Sequence, residues 1–329
     1  MTTSTYGDRT RYGVKDESLR YTWILYYIFI ILTTYIGDIS ILVATTTFNV
    51  FKVHRFIVTI MQHVAVSDLA VCTFWVVPRM IALMTDQWIL GDKLCRIQPY
   101  ITYYFGTVCL LLSCLMVVCK LGILKFPFRS RYLKGKGTRS HQLCALVWAV
   151  SLIVPVIYLD RVDIFFDYRT YSCECTSYSY NTSFVLTATG TNLLAPIVIM
   201  DVCTVFILLR LLKARKAAQR RGSVQRRLEI VTTTFRALFY TGTVLPLTVY
   251  CFTLSLGDIS DSSEGTFFQA HFYRFATSII LLNMLTNFFH NGLTVPRFRN
   301  FMSTMVNRIT SLSLTSDAGM PQITFRWAL

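Results

Sequence analysis

The chain has 329 residues, 53% of them hydrophobic and 14% aromatic, with a mean hydropathy of +0.49. Only 15% are charged, against about 25% in an average soluble protein, so a soluble domain of this composition would expose apolar patches and aggregate. The net charge of +15 superficially suits nucleic acid, but most of the basic residues fall in short breaks between apolar runs, where they meet anionic lipid headgroups instead.

Residues 1–22 form a polar tail with Arg9, Arg11, Lys15 and Arg20. The tail has no apolar core ahead of a small-residue cleavage site, the mark of a signal peptide. The first span is therefore expected to act as its own insertion signal. Seven apolar stretches follow, at 23–47, 57–83, 97–124, 141–159, 184–212, 228–256 and 272–294, each near the roughly 20 residues that cross a bilayer as a helix. Runs of this length satisfy their backbone groups in lipid only as helices. The ten-residue alternating segments of a membrane β-barrel are absent. The fourth stretch is short and the seventh is rich in Asn, but their interiors carry no Lys or Arg beyond Arg274 near one end. The expected fold is all-α, a seven-transmembrane helix bundle over 23–294.

Pro296 suits the first turn of a further helix. Phe298, Phe301, Met302, Met305 and Ile309 then recur at helical spacing, with Arg297, Arg299 and Arg308 between them. Residues 295–309 read as a short amphipathic helix in the inner interface. Residues 310–329 lack periodicity and are expected to form a disordered cytoplasmic tail.

Alternate loops are strongly basic. One set holds Lys52 and Arg55, then Lys125, Arg129, Arg131, Lys134, Lys136 and Arg139, then eight cations between Arg210 and Arg227. The opposite set carries Asp160, Asp163, Asp167, Asp258, Asp261 and Glu264. Lys and Arg in short loops mark the cytoplasmic side, which puts the N-terminus outside and the C-terminus inside, in a plasma-membrane protein. The basic N-terminal tail argues the other way and is outvoted. The cysteines agree: Cys72, Cys109, Cys114, Cys119, Cys144, Cys203 and Cys251 fall in spans, where a free thiol is a small apolar group. Cys95, Cys173 and Cys175 fall on the outer side, where oxidation is allowed. Asn181-Thr182-Ser183 is a glycosylation acceptor on that same side.

Asp38 and Asp68 are carboxylates at membrane depth, a costly placement that usually faces the bundle interior and serves a function. Asp201 in span five and Arg236 in span six are also intramembrane charges, and the sequence assigns neither a partner. There is no Walker loop, no His-x-x-x-His zinc spacing and no Gly-x-Ser-x-Gly, so no enzyme is expected. The lone His290 in span seven reads as a hydrogen-bonded core residue. A transporter is a further reading, but paired halves with broken helices are not seen and the odd span count fits it poorly.

Several residues, in order, resemble the markers of rhodopsin-like G-protein-coupled receptors, over roughly residues 20–310. They are Val64-Ala65-Val66-Ser67-Asp68-Leu69 in span two, Trp88-Ile89-Leu90-Gly91-Asp92-Lys93-Leu94-Cys95 in the first outer loop, Trp148 in span four, Pro196 and Pro246 in spans five and six, Asn287 in span seven, and Phe298 beyond it. The departures fall on the family's switch residues. Its Asp-Arg-Tyr becomes Cys119-Lys120-Leu121, its Cys-Trp-x-Pro becomes Thr243-Val244-Leu245-Pro246, its Asn-Pro-x-x-Tyr becomes Asn287-Phe288-Phe289-His290-Asn291, and its span-one Asn becomes Asp38.

The resemblance implies an extracellular ligand, a heterotrimeric G-protein partner, and a population shift in which Pro196 and Pro246 are the bend points. It implies a disulfide from Cys95 to the second outer loop. If residues 169–178 form a hairpin strand, Cys173 and Cys175 point to the same face, so facing cannot choose between them; Cys175 is expected as the partner, with Cys173 as the alternative. Asp38 and Asp68 are placed by the resemblance beside Asn283 and Asn287, where the carboxylate pair would hold Na⁺, at Asp68, or a shared proton. Lys120, Leu121, Pro127 and Phe128 would face the G protein; Lys120 keeps the arginine's charge but lacks its planar fork. The ligand residues by position are Trp75, Arg79, Thr102, Tyr103, Asn192, Tyr250, Tyr273, Arg274 and Thr277. Thr102 stands where amine receptors carry Asp, and no Lys follows Lys216, which excludes an amine and retinal. Arg79 and Arg274 would attract a carboxylate, pointing to a peptide or an acidic lipid, unless both snorkel to outer headgroups. The changed switch residues leave a second reading: a receptor-like protein that binds ligand without signalling, or a partner subunit.

Overall fold

The computed structural model describes residues 5–6, 17–46, 55–125, 137–153, 164–167, 171–175, 194–217, 238–246, 249, 272, 275–285, 298, 300–304 and 307. Helix α1, Glu17–Thr46, starts six residues before the expected span. The cause lies at its outer end. Arg20 donates from Nε to the Leu83 carbonyl at 3.0 Å and from Nη2 to that of Met84, satisfying the last carbonyls of the neighbouring helix. Residues assigned to the tail are thereby held in α1. Tyr27, Ile30, Thr34, Asp38 and Ile41 are buried at helical spacing, whereas Leu25, Phe29, Leu32, Ile36 and Ile39 are exposed on the other face. Exposed apolar residues on this scale are what a lipid-facing surface requires.

Helix α2 has three parts: Arg55–Val71, a π turn over Cys72–Val76, and Val77–Thr85. The Val77 N–H closes the wide turn on the Cys72 carbonyl. Pro78 follows at once and has no N–H to give the ladder, and such interruptions are where π turns and kinks collect. Asp86 ends α2 in the left-handed region, at φ 56°.

The start of helix α3, Asp92–Lys125, explains why the segment from Trp88 to Cys95 reads as it does. Gly91 has φ 85°, a conformation that disfavours other residues. The Gly91 carbonyl accepts from the Trp88 indole N–H at 2.9 Å and from the Cys95 N–H at 3.2 Å. Tryptophan, glycine and cysteine in that spacing thus build the start of α3.

Beyond α3 come α4, Gly137–Ser151, and a hairpin of β2, Ile164–Asp167, and β3, Ser172–Cys175. The hairpin is antiparallel, and β1, Thr5–Tyr6, adds to β2 in parallel. Tyr171 enters β3 with φ 53°. Helix α5 is Ala195–Ala217, α6 comprises residues 238–246, and α7 is Phe275–Leu285 with a 3₁₀ turn at Ile280–Leu282. Three helices, Glu17–Thr46, Phe56–Thr85 and Asp92–Gly122, are long and apolar enough to cross a membrane among the described residues.

Helix α3 is central, touching α2, α4, α5 and both hairpin strands. One core, at the hairpin end of the bundle, gathers Tyr27, Val76, Leu83, Cys95, Phe166, Cys173 and Leu281. A second joins Ile60, Val64, Leu112, Met116 and Cys144 between α2, α3 and α4, and a third joins α3, α5 and α6 through Val117, Met200, Tyr240 and Val244. Residues 298 and 300–304 are helical. Phe298 is fully buried with Ile41, Ala44 and Ala65, with Phe301 and Met302 packed beside it. This segment therefore docks on α1 and α2.

Candidate functional site

The end of the bundle that carries the hairpin is organised by one covalent bond. Cys95 is joined to Cys173, with Cα atoms 5.2 Å apart, so the expectation of Cys175 is corrected. The strands' register explains the choice. Cys173 lies opposite Phe166 and Cys175 opposite Ile164, so Cys175 is two residues, about 6.7 Å, farther along the strand. Gln98, one turn after Cys95, accepts the Cys173 N–H through Oε1 at 2.9 Å. That bond sets β3 against α3 with Cys173, not Cys175, beside Cys95. Tyr171 donates from its hydroxyl to Asp86 Oδ1 at 3.1 Å, tying the hairpin to the end of α2 as well.

Beneath the hairpin, Arg79 is only 1% exposed. It does not snorkel outward. Its Nη2 donates to Thr277 Oγ1 at 3.1 Å, and its guanidinium lies 5.5 Å from the Tyr27 ring centroid and 5.8 Å from that of Trp75, a cation–π geometry. Tyr26 and Tyr27 donate or share hydrogen bonds with the carbonyl and hydroxyl of Ser278. The expected ligand residues Trp75, Arg79 and Thr277 are therefore together, at the meeting of α1, α2 and α7. Thr102 lies on α3, its hydroxyl oxygen buried and without a hydrogen bond among the described residues; Tyr103, next to it, is 45% exposed. Asn192, Tyr250, Tyr273 and Arg274 lie outside the described residues, as do Asn181, Pro127, Phe128, Asn287, His290 and Arg236.

Midway down the bundle, Asp38 and Asp68 are both buried and within electrostatic reach of each other. Asp68 Oδ1 accepts from the Cys109 thiol at 2.8 Å. Both Asp38 oxygens lack a hydrogen bond among the described residues. Asn283 Oδ1 accepts from Thr243 at 2.9 Å, binding α7 to α6, and Ser113 and the Tyr240 hydroxyl are 3.1 Å apart. Two carboxylates, one with both oxygens unmet, form a donor set that suits a hard cation.

Toward the end of the bundle away from the hairpin, the Trp148 indole donates to His63 Nδ1 at 3.2 Å, and His63 Nε2 faces His141 Nδ1 at 3.4 Å. The indole bond leaves the His63 proton on Nε2. Thr241 donates to Asp201, its hydroxyl oxygen 2.9 and 2.8 Å from the two carboxylate oxygens; the partner the sequence left blank is on α6. Lys120 is half-buried on α3, and Leu121 packs against the core between α3, α5 and α6.

A family model for the seven-transmembrane receptors of the rhodopsin family matches residues 39–289, most of the chain. The chain belongs to the rhodopsin family of seven-transmembrane receptors. The receptor is thus a multi-pass membrane protein with a helical bundle fold, and its family is one of receptors, not enzymes. A QRFP-like peptide receptor from Branchiostoma floridae is 26% identical over 176 residues, covering 49% of this chain and 42% of that protein. The match spans less than half of that relative's length.

Sequence reasoning missed Gln98 and Tyr27. The receptor's Gln98 side chain is 1% exposed, yet a glutamine three residues into an outer helical turn reads as an interfacial residue. The one available signal was its i+3 spacing from Cys95, which puts both on one face of α3. Tyr27 sits in an aromatic run, Trp23 to Tyr27, that reads as an interface belt.

Proposed function

We propose that this receptor carries the binding of an extracellular peptide across the plasma membrane to heterotrimeric G proteins, with its N-terminus outside. The observation that carries the ligand half of this reading is Arg79, a buried cation held by Tyr27, Trp75 and Thr277. A desolvated guanidinium favours a carboxylate strongly and disfavours an amine. The peptide receptor among its relatives supports a peptide over an acidic lipid. Thr102, Tyr103, Asn192, Tyr250, Tyr273 and Arg274 complete the proposed ligand set. Ligand would bind one arrangement of helices more tightly and shift the population toward it, with Pro196 and Pro246 as bend points. Asn181 is the proposed glycosylation site.

Asp38 and Asp68 would hold Na⁺, near Asn283 and Asn287, and the ion would supply positive charge to a carboxylate pair that otherwise repels. Raising NaCl against choline chloride should then raise the melting midpoint of the purified parent and leave Asp68→Asn unmoved. Equal responses in the two proteins would rule the ion out.

Lys120, Leu121, Pro127 and Phe128 are proposed to meet the G protein. The test is nucleotide exchange on a panel of G proteins, for the parent, Lys120→Arg and Lys120→Ala. Basal exchange by the parent is expected to fall at least about tenfold in Lys120→Ala, the loss of one charge-assisted contact. The replacement of Asp-Arg-Tyr by Cys119-Lys120-Leu121 favours one other reading, a ligand-binding protein without coupling. A silent parent awakened by Lys120→Arg would decide for it.

A further inference from the structure

We infer that the receptor reads an anionic group of its ligand with two donors, the Arg79 guanidinium and the Gln98 amide, and that Gln98 sets the sign of charge accepted; this rests on the proposed ligand pocket under the hairpin. A glutamine side chain offers a carbonyl oxygen and an NH₂ group whose places depend on its partners. Here the choice is made by the backbone. Only Oε1 can accept the Cys173 N–H, so Nε2 is turned the other way as a pure donor. Nε2 is buried and has no hydrogen-bond partner among the described residues. A buried donor left unmet costs about 1–3 kcal/mol, and native structures seldom carry one without cause.

Thr102 stands one helical turn farther along the same face of α3, and its hydroxyl oxygen is likewise buried and unbonded. Residues four apart on a helix are about 6 Å from each other, which brings Gln98 and Thr102 within reach of one small polar group. The Gln98 Nε2 can only donate a hydrogen bond, Thr102 can donate or accept one, and the positive charge of Arg79, on the neighbouring α2, is inferred as the third partner. A carboxylate meets all three needs. An ammonium meets neither donor.

The same geometry contains its own reversal. In Gln98→Glu, one carboxylate oxygen still accepts the Cys173 N–H, so the hairpin keeps its clamp. The other oxygen becomes an acceptor where a donor stood, and the added negative charge faces the ligand. The probes are 3-phenylpropanoate, 3-phenylpropanamide and 3-phenylpropylamine, titrated by saturation-transfer NMR against the full-length receptor in nanodiscs. The parent is expected to bind the carboxylate at least roughly tenfold more tightly than the amine, as a hydrogen bond to a charged group implies. Gln98→Glu should invert that order, and Thr102→Val should weaken the carboxylate without inverting anything. No carboxylate preference in the parent, absence of binding included, or an unchanged order in Gln98→Glu with the Cys95–Cys173 bond intact, overturns the inference. Nucleotide exchange plays no part in this measurement, so failure here leaves G-protein coupling to be judged on its own test.

Discussion

Cys173→Ser is expected to remove about 4–5 kcal/mol of stability, while Cys175→Ser leaves the receptor nearly unchanged. The bridge closes a sequence separation of 78 residues, and in the chain-entropy account a loop of that length contributes about that much. More than entropy is lost. Cys173 is 3% exposed in the same core as Phe166, Tyr171, Leu83 and Tyr27, and opening the bridge also loosens the bonds from Cys173 to Gln98 and from Tyr171 to Asp86. Arg79 lies beneath that core, so ligand binding should weaken together with stability. The readouts are the thermal inactivation midpoint, surface expression in intact cells, and peptide mapping without reduction. A large loss in Cys175→Ser with a small one in Cys173→Ser would falsify the pairing.

Asp38→Asn is expected to work in the opposite direction and raise stability by about 1–3 kcal/mol in low sodium. Asp38 is buried, neither oxygen has a hydrogen bond among the described residues, and Asp68 stands within electrostatic reach. Asparagine keeps the shape and removes the repulsion between two carboxylates. Asp38→Ala should gain less, because the side chain it deletes leaves a cavity. The gain depends on the proposed ion. Bound Na⁺ stabilises the parent by an amount that grows with its concentration over its dissociation constant, so the advantage of Asp38→Asn should shrink as NaCl replaces choline chloride. Melting curves in nanodiscs across that series decide the matter, and a variant that melts below its parent in low sodium would contradict the structural account of Asp38.

These two sites also show where sequence reading succeeds and where it stops. The bundle was legible because lipid permits few solutions: a run such as Ile24 to Ala44 has one form in which its backbone is satisfied. Asp38 and Asp68 were legible as a pair only through a family resemblance, since thirty residues separate them and no local spacing brings them together. The disulfide partner was not legible. Cys173 and Cys175 are two residues apart on β3, and what separates them is the placement of that strand against α3, held by the bond from the Cys173 N–H to Gln98. Arg79 stood out in the sequence as an intramembrane cation, but its burial was not legible, because an arginine near a helix end can equally reach headgroups. Its inward turn comes from Tyr27, Trp75 and Thr277, on three different helices. The early start of α1 escaped for a similar reason: Arg20 looks like a tail residue until the carbonyls of Leu83 and Met84 are placed beside it.

The π turn at Cys72–Val76 makes α2 a helix with two phases. Its wide turn takes one more residue than the α-helical spacing would, so everything beyond it, Arg79 included, is rotated by about 100° against the half that holds Asp68. The gain or loss of a single residue at that turn would re-aim the half after it and leave the half before it in register. The half of α2 that carries Arg79 and the half that carries Asp68, though parts of one continuous helix, can therefore be re-aimed independently of each other.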